Sequence, residues 1–257
     1  MTKIISILVL IALIFSTLLL FEAKADTILK KEFAELDNLY NSFYTGGNLE
    51  YLEKSIDKIE VLIANHSENY EMYWRAAEGY YHYGAAIAAE EKKEGEPLSA
   101  FKKGREYAEK AVELNPDSSR AHFWLGSLMG SVGLEEGILS SLSMIKPMRN
   151  ELETAIELDP EYAEAYDVLA ELYNEAPGWP ISIGSDKKAL EYREKAVELQ
   201  PRNFEYQWKL YQNYEKLDYQ DEAKVVLYRI LQMAKYRNDL EATKYKDIAE
   251  EQLQKYE

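Results

Sequence analysis

Cysteine is absent from the 257-residue sequence, which excludes disulfide bridges, thiolate metal sites, cysteine nucleophiles and cysteine-borne lipid anchors. Histidine is scarce: His66, His82 and His122 are the three in the chain, and no two of them stand at a metal-ligand spacing such as H-x-x-x-H. No G-x-S-x-G, phosphate-loop or dinucleotide fingerprint occurs. Carboxylates are plentiful, Glu135-Glu136 among them, but acids scattered along helices read as solvated faces. These absences predict a protein that is not an enzyme and holds no cofactor or metal. Glycine (12) and proline (7) are too few for a linker-rich or disordered chain. Basic residues are in deficit, 30 Lys+Arg against 46 Asp+Glu for a net charge of -16. Nucleic acid and anionic membrane surfaces are bound by cationic faces, so neither is an expected partner.

One long apolar run is present. Lys3 precedes residues 4–21, IISILVLIALIFSTLLLF, and Ala23-Lys24-Ala25 follows. A basic start, an apolar core and an A-x-A site have the layout of a secretory signal covering residues 1–25, cleaved after Ala25. The run is also long enough to remain as an uncleaved membrane anchor, and only in that case is a membrane an expected partner. Either arrangement in a bacterial cell places the rest of the chain outside the cytoplasm. The expected location is therefore periplasmic, with an anchored form as the alternative. Without residues 1–25, which carry a net +1, the remainder carries -17.

Internal repeats then organise the chain. AVELNPDSSRAHFWLG from Ala111, AIELDPEYAEAYDVLA from Ala155 and AVELQPRNFEYQWKLY from Ala196 align without gaps. Their prolines, Pro116, Pro160 and Pro201, cannot continue a helix and suit the first turn of the next, so each marks a joint between antiparallel helices. The pattern resembles the tetratricopeptide repeat (TPR), a helix–turn–helix unit. Small residues recur where helices cross closely: Ala77, Gly126 and Ala170 in first helices, Gly104, Ala189 and Ala223 in second helices. The block GSLMGSVG from Gly126 lies inside such a helix and lacks a following Lys-Ser/Thr, so it reads as packing rather than a phosphate loop.

The expected fold is all-α: a TPR-type α-solenoid, a right-handed superhelix of antiparallel helix pairs with long inserts inside the repeats. Residues 26–65 read as a degenerate N-terminal helix pair, 66–235 as the TPR array and 236–257 as a C-terminal capping helix. The excess over a regular repeat falls between first and second helices, at residues 90–97, 134–147 and 176–188. All three inserts should project from one edge of the stack. The 134–147 segment is apolar enough to form an extra short helix folded back on the stack. The 176–188 segment combines Trp179 and Ile181 with two prolines and two glycines, and reads either as a binding element or as an ordered spacer.

The order GREYAEKAVELNP, AHFWLG, GILSSLSMIKP and GSDKKALEYREKAVELQP, with the helix from Trp74 to Tyr81, is similar to two TPR groups. One is the T component of tripartite ATP-independent periplasmic (TRAP) transporters, which implies an accessory role in solute uptake and a periplasmic substrate-binding protein as partner. The other is the regulator-of-microtubule-dynamics family, which implies a eukaryotic partner. The absence of a lipid-bearing cysteine departs from the first group.

First helices of a TPR stack line a concave groove. The repeat register assigns to it Trp74, Glu78 and Tyr81; Phe123 and Ser127; Asp167, Glu171 and Asn174; and Trp208, Gln212 and Glu215. Three large aromatics at one equivalent position are either covered by the C-terminal helix or an insert, or are anchors for a partner. The adjacent acids favour a neutral or basic peptide or helix. Two functions follow: a scaffold for protein–protein interaction, and, as the alternative, a carrier that holds an apolar small ligand in a pore and passes it to a transport partner. His122, where an aromatic is usual, reads as a satisfied core histidine.

Overall fold

The computed structural model describes residues 27–89, 96–237 and 239–256; the expected signal segment and most of the 90–97 insert lie outside them. The described residues form α-helices joined by short turns, with no named strand among them. Two compact units are present, divided after Ser67.

The first unit is a helical hairpin of α1 (27–46) and α2 (Glu50–Asn65). Phe33, Leu36 and Tyr40 recur at helical spacing and are buried, as are Leu52, Ile56 and Ile59. Gly47 makes the turn at φ +67°, a left-handed conformation that favours glycine. Lys58 clamps the hairpin through Glu32 at 2.5 Å and Glu35 at 2.7 Å.

The second unit contains α3 (Tyr70–Ala89), α4 (Glu96–Leu114), α5 (Ser119–Glu136), α6 (Ile138–Leu158), α7 (Ala163–Glu175), α8 (Asp186–Leu199), α9 (Phe204–Lys216), α10 (Gln220–Ala234) and α11 (Leu240–Leu253). Successive helices pack as hairpins α3–α4, α5–α6, α7–α8 and α9–α10, each hairpin against the next. This is the expected all-α TPR solenoid. The small residues sit where backbones approach: a Cβ on Gly104 would lie 2.9 Å from Tyr80 Cβ, and one on Gly126 2.9 Å from Leu152 Cγ. Ala77, Ala170, Ala189, Ala196 and Ala223 have no exposed surface. Gly126, Gly130 and Gly133 follow one side of α5 against Leu152, Met148 and Ser141 of α6, so GSLMGSVG is a helix-packing stripe.

The 134–147 segment does not form an extra helix. It lengthens α5 and α6, which meet at a one-residue joint, Gly137, with φ +97°. Pro147 lies inside α6 on an exposed position, where solvent can reach the carbonyl that loses its amide partner. Since α5, α7 and α9 each start three residues after their repeat proline, the differences in length accumulate at the opposite edge. There α5 and α6, of 18 and 21 residues, outrun α7 and α8, of 13 and 14.

The C-terminal helix packs on the last hairpin. Tyr245 of α11 stacks on Phe204 of α9 at 5.6 Å with the rings nearly parallel, and Ala242 and Ala249 are buried beside it. Tyr211 donates to Gln252 Oε1 at 3.1 Å, and the Tyr256 hydroxyl donates to Glu215.

Candidate protein-interaction surfaces

The first-helix positions assigned to the groove are largely engaged by the chain itself. Trp74 is 4% exposed, with the guanidinium carbons of Arg75 and Arg120 at 4.7 and 5.0 Å from its ring centre. Phe123 is 6% exposed, against Trp124 at 4.9 Å and Tyr162 at 4.8 Å. Trp208 is half-buried, stacks on Tyr211 at 4.9 Å and packs on the core that α11 completes. Tyr81 sits half-buried beside His82 and Trp124. Glu78 is half-buried, Ser127 is buried, and Gln212 is exposed.

Three of the acids assigned to the groove hold partners within the chain, and for two of them the partner is cationic. Arg193 of α8 has no exposed surface and pairs with Asp167; its Nη2 donates to Glu171 Oε2 at 3.0 Å. Lys209 of α9 reaches Asp167 Oδ2 at 3.0 Å and Glu205 at 2.8 Å. Asn213 joins Asn174 at 3.0 Å, and Glu215 receives Tyr256. Burial lowers the Arg193 pKa to about 10, which still leaves it charged at neutral pH. Arg193 falls on the same stripe as Ala189 and Ala196. A charge at that buried phase marks it as a network centre, a signal the repeat alignment alone overlooks.

His122 is a satisfied histidine. Its Nδ1 lies 2.6 Å from Glu151 Oε2 and its Nε2 2.8 Å from the Pro116 carbonyl oxygen. Both partners can accept, so this pairing favours the doubly protonated, cationic ring. The Glu151 hydrogen bond raises its pKa. His82, in contrast, is driven down to about 4 by burial. Among the described residues no group of three or more His, Asp or Glu is placed to hold a metal ion, and no helix is long and apolar enough to cross a membrane.

The 176–188 insert differs from the groove. Gly184 N donates to Pro177 O at 2.9 Å, Ile181 N to Gly178 O at 3.1 Å and Ser185 N to Tyr173 O at 2.9 Å. The backbones cross so closely that a Cβ on Gly184 would lie 1.9 Å from Ala176 O. This hydrogen-bonded loop nevertheless leaves Trp179 89% and Ile181 74% exposed. Leu134, Ile138 and Leu139, exposed at the α5–α6 joint, belong to the same edge of turns within hairpins. Sequence reasoning named Trp179 and Ile181 but read the other three as part of an extra short helix folded back on the stack.

Comparison with known proteins places these features. The solved structure of TTC0263, a thermophilic TPR protein of Thermus thermophilus, superposes with a TM-score of 0.61 at 16% identity, covering 84% of this chain and 97% of that one. That likeness shows the TPR fold. Regulator of microtubule dynamics protein 1 of Bos taurus is 30% identical over 47% of this chain and 38% of its own length. Its counterpart from Pongo abelii is 27% identical over 52% and 46%. The chain thus spans less than half the length of the curated relatives it matches. The expected periplasmic location is overturned here: these relatives are eukaryotic proteins, from cells that have no periplasm. Of the two resemblances drawn from the sequence, the second is the one these matches support. A family model described as regulator of microtubule dynamics protein 1-3 matches residues 33–174, more than half of the sequence, and the chain belongs to that family.

Proposed function

We propose that this TPR scaffold holds its protein partner on the edge formed by the turns within its hairpins, with the 176–188 loop as the principal contact. The observation that carries this reading is the exposure of Trp179 in a loop held by its own backbone hydrogen bonds. An apolar anchor pre-set in one conformation loses little entropy on binding, and large aromatics supply most of the energy of an interface. The concave positions offer less. Trp74 and Phe123 are already buried, and Asp167, Glu171 and Glu215 already hold partners within the chain. A photo-crosslinking side chain at position 179, compared with one at the exposed groove position 212, tests the assignment in cells of the source organism. Adducts from 179 and few from 212 are expected; the reverse pattern would overturn it.

A further inference from the structure

We infer that the occupant of this edge is a basic amphipathic helix, a deduction that rests on the reading above and adds the partner's shape and charge. Shape comes from helix lengths. First helices start in register, so the α5–α6 hairpin extends beyond α7–α8 by five residues on the first helix and seven on the second. At 1.5 Å per residue that is a step of roughly 8–10 Å, close to the diameter of an α-helix with its side chains. The apolar groups on either side of the step are Leu134, Ile138 and Leu139 on the deep hairpin, and Trp179 and Ile181 on the loop of the shallow one. Apolar side chains divided in this way suit one stripe of a helix lying along the step.

Charge comes from the turns themselves. Glu135 and Glu175 flank the two apolar groups, and Asp218, Asp221 and Glu222 follow at the α9–α10 turn; all five are exposed and none has an ion pair among the described residues. Glu136 and Asp186 are already paired, with Lys102 at 2.7 Å and Lys216 at 2.6 Å. Lys187 and Lys188 are exposed cations on the loop side, against the five unpaired acids. The surplus is negative, as is the whole chain at -16, so a cationic helix is attracted and an anionic helix or bilayer repelled.

The full chain is titrated with a labelled Leu/Lys amphipathic helical peptide, a Leu/Glu counterpart, and vesicles of neutral phosphatidylcholine. The inference expects saturable binding of the Leu/Lys peptide, weakened about tenfold or more by Ile181→Ser with Leu139→Ser and by added salt. Glu135→Gln with Glu175→Gln should weaken it while leaving the helical circular dichroism unchanged. Equal binding of the Leu/Glu peptide, insensitivity to salt, or recruitment to vesicles without peptide binding would overturn it. Crosslinks from position 179 that persist in the Gln variants would leave the edge standing and remove only the charge argument.

Discussion

Arg193 on α8, with no exposed surface, donates through Nη2 to Glu171 Oε2 on α7 at 3.0 Å while pairing with Asp167 on the same helix. One guanidinium therefore ties a second helix to two turns of the first. Lys209 on α9 completes the link to the following hairpin through Asp167. A lysine could not make the forked contact, because its single ammonium lacks the planar array of donors.

Arg193→Met should destabilise the protein by about 3–5 kcal/mol, since it leaves the Asp167 carboxylate buried and short of a partner. The paired change Arg193→Met with Asp167→Leu should recover a large part of that loss. Urea unfolding of the three proteins checks this; equal losses in the single and double variants would remove the network from the account.

His122 and His82 predict opposite pH trends. The His122 pKa is raised, chiefly by the Glu151 hydrogen bond, so its contribution is complete below the ordinary value of 6.5 and is lost as pH rises through the raised folded value. Thermal melts of the wild type and His122→Gln above neutrality should converge as the pH increases. Parallel curves would show that His122 carries no linked proton.

His82 is held neutral by burial, at about 4 against 6.5. The unfolded chain binds the proton more readily, so stability present above 6.5 falls as the pH drops towards 4, by about 3 kcal/mol for this one group. His82→Phe should flatten that acid limb in a denaturant series at several pH values, and an unchanged limb would count against it.

Gly126→Ala should cost about 1–3 kcal/mol through overpacking, because the new Cβ meets Leu152 Cγ at 2.9 Å and the Met148 carbonyl at 3.2 Å. Chemical denaturation measures it. A neutral result would mean that α5 and α6 can separate without loss.

Gly184→Ala should open the 176–188 loop, as its Cβ would fall 1.9 Å from Ala176 O. The helical circular dichroism should hold while crosslinking from position 179 falls. Retained crosslinking would show that the loop's fixed conformation is unnecessary for contact.

The repeat architecture was legible because its determinants are local and periodic: Pro116, Pro160 and Pro201 punctuate helices, and the alanines mark crossings. The site was less so. Register placed Trp74 and Phe123 on first helices, but register does not reveal that Arg120 and Tyr162, distant in sequence, close over them. Residues 134–147 read as an insert because their length departed from the repeat, whereas Gly137 alone turns the chain and the rest extends two existing helices. Trp179 stood out because an apolar ring among prolines and glycines has no periodic stripe to join, and it is exposed. Location was misjudged from residues 1–25, whose apolar pattern is shared by exported and anchored chains of many kinds.

The charge on α11 has a consequence for contacts made there. Lys244, Lys246, Asp247, Glu250 and Glu251 are exposed on this helix, and Leu240 at its start is 91% exposed. Beyond Leu240 the outer side is mostly hydrated charge, so a contact on it would be polar and would weaken with salt.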